Sequence, residues 1–335
     1  MSPTPPHASA QEPLTLRHGQ FWVQGDIVPT EFGTVQRGQM FVEWRAPEVV
    51  TRPHPLVLIH GGCGQGTDWT GTPDGRPGWA DSFVRAGYAV YIVDRPGHGR
   101  STNHPAILGA PGAPTPYELA SYLFASPDAA DAQTQWPWSR EFDGAELGQI
   151  AASSGYLLAD AGEGQRLDGV RLAELLDLIG PSILVTHSAG APAGWLAANL
   201  RPDAVLGIVA VEPMGPPFGE LPGFGKLAWG LTIAPVITEP TLDDPTDLEN
   251  NPHEVEIVGL RDLPITVITG SASAAAGFAP PVVDFLAAAG ARVALNPLAS
   301  HGILGNGHGL AFESNSAETI TPVLEWLDDT FPRAG

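Results

Sequence analysis

The sequence predicts an α/β fold, a mostly parallel sheet with helices on both faces and inserted segments over one end. Three observations predict it. Short apolar runs recur along the chain: PLVLIH (55–60), AVYIVD (89–94), SILVTH (182–187), AVLGIVAVE (204–212), PITVITG (264–270) and RVALNPL (292–298). Runs of this length without polar alternation read as strands buried on both faces. Segments with helical spacing of apolar residues lie between them, so strand and helix alternate. Polar residues then close the runs at His60, Asp94, His187 and Glu212. Ligands of such sheets bind at the carboxyl ends of the strands.

The elements follow in chain order. Residues 1–15 read as a disordered tail. GQFWVQG (19–25) and GTVQRGQMFVEWRAP (33–47) alternate and read as antiparallel strands that begin the sheet. GWADSFVRAGY (78–88) has helical spacing with a glycine near its end, and LDGVRLAELLDLIG (167–180) is an amphipathic helix closed by Gly180. APAGWLAANL (191–200) is helical, and helices at 280–289 and 317–330 complete the pattern. Two stretches break the alternation. Residues 101–160 carry two tryptophans in QWPWSREFDG and little strand signal; residues 213–262 are proline-rich and acidic, as in ITEPTLDDPTDLENNP. Both follow strand ends, so they read as cap elements over a pocket in a single domain spanning 16–335. There is no internal repeat.

A chain of 335 residues is long enough to bury a large core. Its 43% hydrophobic and 16% charged content is that of a soluble globular protein. A formal charge of −21 disfavours nucleic acid and anionic membrane surfaces as partners. Cys63 is the only cysteine, which excludes an intrachain disulfide and a cysteine-based zinc site. The residues call for no metal or cofactor. MSPTPPHASAQEP lacks the basic and apolar regions of a signal peptide. No run of about 18 apolar residues suggests a membrane span. A cytoplasmic enzyme is expected, with an export leader and a homo-oligomer both left open.

The segment LVTHSAGAPAGW (184–195) carries the chemistry. Ser188 follows a buried strand and precedes a helix, the setting of the strand–nucleophile–helix elbow usually written Gly-x-Ser-x-Gly. Gly190 meets that pattern and Thr186 does not, so an ordinary helix N-cap competes with a nucleophile. A serine nucleophile needs an oxyanion hole and a base. The Ala189 N–H offers one donor. HGGCGQGTDW (60–69) supplies the other, at Gly62 with Cys63 next. The slot for the acid after PITVITG holds no carboxylate before Asp284, inside a helix. Glu212 instead ends the strand after the elbow helix, where a carboxylate needs a partner. ASHGILGNGHGLAFESNS (299–316) offers His301 and His308 as the base, and spacing barely separates them. The second is expected to hydrogen-bond the loop of the first. His187, adjacent to Ser188, is assigned a structural role.

Several stretches together resemble the bacterial α/β-hydrolase esterases with a Ser-His-Glu triad. They are GQMFVEWRAP, PLVLIHGG, GTPDGRPGWADSFVRAGYAVYIVDRPGHGRS, THSAGAPAGW, IVAVEPMGPPFG and HGILGNGH. They run from about residue 19 to the C-terminus, and TPDGRPGWAD and EPMGPPFG are absent from most α/β-hydrolases. The resemblance implies Ser188 as nucleophile, Glu212 as acid and the N–H groups of Gly62 and Ala189 as oxyanion hole. It favours His308 over His301, because the family histidine lies in a Gly-Asn-x-His context. Ala189 and Gly190 are smaller than the family's usual residues there and would widen the pocket floor.

The expected function is hydrolysis of a carboxylic ester or lactone of a fairly apolar small molecule through an acyl-enzyme. Trp69, Trp136, Trp138, Phe218 and Trp229 are candidate pocket aromatics, with the cap core as their other setting. Acyl transfer or C–C bond hydrolysis on the same fold is the alternative within enzymes. A non-catalytic small-molecule-binding protein is the alternative outside them, weakened by the presence of all three triad residues.

Overall fold

A computed structural model describes residues 12–221 and 224–333. The tail assigned to 1–15 lies outside the described residues up to position 11. Residues 12–15 are irregular, and Leu14 packs against the core.

The sheet begins with β1 (Leu16–Val23), which pairs antiparallel with β4 (Met40–Pro47). Between them β2 (Asp26–Thr30) and β3 (Gly33–Arg37) form a separate hairpin. The alternating run at 33–47 is therefore two strands, broken at Gly38–Gln39, because its first half turns back on residues 26–30. Strands β5 (Leu56–Ile59) and β6 (Val90–Asp94) flank helix α1 (Trp79–Arg85). Helices α2 (Pro105–Leu108), α3 (Tyr117–Phe124) and α4 (Ala145–Ser153) occupy the first irregular stretch, before the long helix α5 (Ala161–Ile179). Strand β7 (Ser182–His187), helix α6 (Ala191–Leu200) and strand β8 (Val205–Val211) follow. The second irregular stretch holds two short pairs, β9 (Glu220–Leu221) with β10 (Gly225–Lys226) and β11 (Thr238–Glu239) with β12 (Glu256–Ile257), and helix α7 (Pro245–Asn250). The chain closes with β13 (Pro264–Thr269), α8 (Ala275–Ala288), β14 (Arg292–Pro297), α9 (Ser316–Thr319) and α10 (Thr321–Thr330).

Eight strands form one sheet in the order β1-β4-β6-β5-β7-β8-β13-β14. The pairs β1–β4 and β4–β6 are antiparallel, and every pair from β6 through β14 is parallel. This is the α/β-hydrolase architecture that the sequence predicts.

The apolar runs behave as two-sided strands, except β14, which lies at the sheet edge with its residues exposed or half-buried. Val57 and Ile59 of β5 join the core under α5, α6 and α8, while Leu56 and Leu58 join the opposite core under α1 and α10. Leu184 of β7 and Ile208 and Ala210 of β8 face the first core; Ile183, Val185, Val209 and Val211 face the second. The period of two places alternate residues on opposite faces, and both faces are dry. Each fully buried Leu or Ile stabilises the fold by about 1.5–3 kcal/mol.

Helix boundaries depart from expectation where local chemistry outweighs pattern. Helix α5 starts at Ala161, six residues earlier than its apolar stripe, because Asp160 caps it by accepting from the Glu163 N–H at 2.9 Å. Helix α8 starts at Ala275 and carries Pro280 and Pro281 inside it. The expected start is 280; an alanine run and the Ser273 hydroxyl, which accepts from the Ala275 N–H at 3.1 Å, start it earlier. The last helix is split at Ile320 into α9 and α10.

Candidate active site

Strand β7 is buried along its whole length, and the chain turns at once through a single 3₁₀ turn, Ser188–Gly190, into α6. Ser188 takes φ +51°, a left-handed conformation that L-residues avoid. Gly190 is required by close approach, since a Cβ there would stand 2.3 Å from the His60 carbonyl oxygen. The place usually taken by glycine is Thr186, and the space for it comes from the helix. A Cβ on Gly194 would lie 2.8 Å from Thr186 Cγ2. The small residue has moved from strand to helix, so the elbow keeps its geometry without the first glycine.

Ser188 Oγ lies 2.9 Å from His308 Nε2, and His308 Nδ1 lies 3.0 Å from Glu212 Oε2. A carboxylate only accepts, so the Nδ1 proton points to Glu212 and Nε2 accepts from the serine hydroxyl. Glu212 is fully buried at the end of β8 with φ +50°. It also accepts from the Gly270 N–H at 2.6 Å and from the Ser273 hydroxyl. The His308 ring lies 5.6 Å from that of Phe124, tilted 31° to it, and 4.7 Å from that of His187. His187 is buried, and its Nε2–H donates to the His308 carbonyl at 2.9 Å. Burial, with His308 alongside, pushes its pKa down to about 3, so the ring is neutral. His187 thus does not point away from the site; its hydrogen bond supports the His308 backbone.

His301 lies elsewhere. Its Nε2 meets Asn296 Oδ1 at 2.6 Å and its Nδ1 lies 3.6 Å from Glu325, beside the C-terminal helix. It does not hydrogen-bond the loop of His308 as expected, because the turn Leu298–His301 ends before that loop begins. Asp284 is exposed on α8 and takes no part in the site.

The loop after β5 is held by the motif DRPGHGRS. Asp94 accepts from the Gly66 N–H at 2.6 Å and from the Arg100 N–H at 2.7 Å, joining the two loops. Arg95 is 2% exposed; it pairs with Asp168 at 2.6 Å and donates from Nη2 to the Gly61 carbonyl at 2.7 Å. Its backbone N–H donates to His60 Nε2 at 3.1 Å, which leaves His60 Nδ1–H to donate to the same Gly61 oxygen at 2.9 Å. Burial drives the His60 pKa well down, in keeping with a neutral ring. Two donors therefore fix the Gly61 oxygen. In a trans peptide the Gly62 N–H points the opposite way. Among the described residues, no acceptor pairs with the N–H of Gly62 or of Ala189. A Cβ on Gly62 would lie 3.1 Å from the Ala189 Cβ, so the two residues adjoin. Cys63 is buried at φ +60°. Cys63, Ser188 and Glu212 thus place left-handed non-glycine residues just past the ends of three neighbouring strands. Each costs about 1–2 kcal/mol, and such strain gathers at functional sites.

A cavity of about 840 Å³ opens on Ser188 and His308. Its apolar walls include Leu123 and Phe124 of α3, Ile150 of α4, Phe224, Phe278 and Phe312. The aromatics expected from the sequence are not among them. Trp69 and Trp136 are buried in the core under α1 and α10, where Trp138 packs against them; Trp229 is buried in the other core, with Phe218 against Phe285. Of the two settings open to these five aromatics the structure gives the core, because the bulky rings fill the space behind the loops.

Sequence reasoning missed Ser273, Gln133 and Glu313. Buried Glu313 accepts from the Gly307 N–H at 2.8 Å, Asn306 Nδ2 at 2.7 Å and Gln133 Nε2 at 2.7 Å, and so shapes the loop before His308. Burial raises its pKa. The Asn in Gly-Asn-x-His was the available signal, since a buried Asn needs partners. Arg76 of TPDGRPGW donates to the Glu313 carbonyl and to Ser316 Oγ, both at 2.9 Å, tying that motif to the same loop.

An elbow on a two-sided parallel sheet, with a histidine and a buried acid behind it, defines the α/β-hydrolase class. Residues 54–138 match the family described as α/β hydrolase fold. The chain is 33% identical over 319 residues to a probable secreted lipase, phiG, from a fungal species, across 88% of this chain and 87% of that one. A bacterial esterase solved at atomic resolution has a similar fold, with a TM-score of 0.70 and 24% identity, across 96% of this chain and 99% of that one. The chain belongs to the α/β-hydrolase esterase family. Among the described residues, no helix is long and apolar enough to cross a membrane.

Proposed function

We propose that this protein is a serine hydrolase that cleaves carboxylic esters, lactones included, of fairly apolar small molecules through an acyl-enzyme. The observation that carries the reading is the unbroken relay Ser188–His308–Glu212, with contacts of 2.9 and 3.0 Å, at the wall of a largely apolar cavity. Ser188 Oγ attacks the ester carbonyl while His308 Nε2 takes its proton. The C–O bond breaks as His308 returns that proton to the leaving alcohol. Water, deprotonated by the same nitrogen, then attacks the acyl-enzyme and releases Ser188 and the acid. Glu212 orients the ring and stabilises its charged form. The N–H groups of Gly62 and Ala189 bind the oxyanion, and Arg95 with His60 aims the first of them through the Gly61 carbonyl. Residues 101–160 and 213–262 act as cap elements of the single domain, a role supported by the cavity residues they supply, Phe124 and Ile150 from one and Leu221 and Phe224 from the other.

The fungal relative is named a lipase and the bacterial structure an esterase, which supports ester hydrolysis here. Hydrolysis of a p-nitrophenyl ester series of increasing acyl length, with lactones run alongside, tests the reading. Turnover of medium-length acyl chains is expected; no turnover of any ester or lactone overturns it. The cytoplasmic location remains part of the proposal, although the fungal relative is called secreted. Activity recovered from the culture medium of the native host, not from its cells, would overturn that part.

A further inference from the structure

One carboxyl in the cavity is not used by the relay. Asp68 sits in the short turn Gly66–Trp69 that continues the loop after β5, and it lines the cavity together with Gly64, Thr67, Thr70 and Thr72. The wall here differs from the rest. Hydroxyl-bearing residues share this part of the lining with the carboxyl, and Ser153 and Ser154 at the end of α4 add two more. The carboxyl packs close against Gly64, where a Cβ would stand 2.1 Å from Asp68 Oδ2, so any side chain at 64 would displace it.

The nearby cations are committed elsewhere. Arg95 is paired with Asp168 at 2.6 Å and Arg100 with Asp94 at 2.8 Å. Among the described residues, Asp68 enters no ion pair, and no lysine or arginine lines the cavity. An anionic substrate would find no lysine or arginine to pair with there. A protonated amine would find one carboxyl and several hydroxyl acceptors.

We propose that the Asp68 end of the cavity is a subsite for a protonated amine, selecting esters that carry an ammonium group away from the scissile bond. The inference rests on the ester-hydrolase reading for the word ester, but the subsite itself does not. Burial pushes the Asp68 pKa up to about 7; the Gln65 backbone hydrogen bond opposes this, Asp94 adds to it and Arg95 opposes it. His187, His308 and Glu212 line the same cavity. The carboxyl is therefore part protonated near neutrality, and an arriving ammonium ion displaces that proton. Amine binding strengthens as pH rises through 7.

The test uses Ser188→Ala protein, which does no chemistry, with n-hexylamine and n-hexanol as probes. At about pH 8, where the amine is still protonated, calorimetry should find the amine bound about tenfold more tightly than the alcohol, a charge-assisted contact against a neutral one. The ratio should shrink at about pH 5.5, where the carboxyl is neutral. Adding Asp68→Asn should bring the ratio close to one at both pH values, and Asp68→Ser serves equally if the asparagine variant fails to fold. A ratio near one in the Ser188→Ala protein itself overturns the proposal without any change at position 68. So does a preference for the amine that survives loss of the carboxyl. Turnover of neutral p-nitrophenyl esters by the unmodified protein checks the hydrolase reading separately.

Discussion

Glu212 has no exposure and three donors aimed at it, and this decides what its replacement does. Glu212→Gln keeps the shape but loses the charge opposite the His308 ring, so kcat should fall by roughly 10²–10⁴ with folding retained, as in other triads. Asp284→Asn should leave kcat unchanged, since Asp284 is on an exposed helix face; steady-state kinetics and circular dichroism of both variants check the pair. The histidines separate as cleanly. His308→Ala removes the group within 2.9 Å of Ser188 and should abolish turnover, while His301→Ala breaks surface contacts with Asn296 and Glu325 and should change stability by about 0.5 kcal/mol or less. Asp68 gives a pH signature of its own. Its pKa is raised from 3.8 to about 7 in the fold, so between those values the folded chain holds a proton that the unfolded chain has lost. Its contribution to stability is whole below the ordinary value and is lost as pH rises through 7. Asp68→Asn lacks this loss, so its Tm should gain on that of the unmodified protein between about pH 4 and pH 8, by a few degrees. Parallel melting curves across that range check it, and an unchanging difference contradicts it.

At the scale of elements, the elbow is a joint between β7 and α6 whose tolerance is set by two positions. Gly194→Ala drives a methyl to 2.8 Å from Thr186 and should destabilise the joint by about 1–3 kcal/mol. Thr186→Gly combined with Gly194→Ala restores the usual arrangement and should recover part of that loss. Denaturant unfolding of the two singles and the double measures the coupling, and simple additivity contradicts the account. Much of this level was legible in the sequence. The strands at 182–187 and 264–269 and the helix at 191–200 announce themselves because they are mostly apolar and no Asp, Glu, Lys or Arg interrupts them. Ser188, Glu212 and His308 were legible as candidates because each stands just beyond a strand end or in a glycine-rich loop. What was not legible depends on contacts between distant segments. The Arg95–Gly61 bond and the Gln133–Glu313 bond join residues that no local pattern connects. The choice between pocket and core for the loop aromatics stayed open for the same reason. Side-chain size and loop position are visible in a sequence, but which side of a loop faces the core is not.

For the whole molecule, the dominant physical fact outside the site is the charge. With 37 acidic and 16 basic side chains, most acids have no opposite partner, and the fold carries net self-repulsion. Raising the salt from about 20 to 300 mM shortens the screening length severalfold and should raise Tm by a few degrees; calorimetric scans at fixed pH check this, and a fall in Tm would mean that paired charges dominate instead. The same charge bears on the cavity, which sits in an acidic molecule and, among the described residues, has no lysine or arginine in its wall. The fold gathers the ends of β7 and β8 and the loop after β14 at that cavity, and the account depends on what this convergence does to one hydroxyl. A fluorophosphonate reporter labels only a serine activated by a base, and peptide mapping identifies the serine. The account predicts one label per chain, on Ser188, lost in Ser188→Ala with the circular dichroism spectrum unchanged. Labelling of another serine, or full labelling of the Ser188→Ala protein, would contradict it.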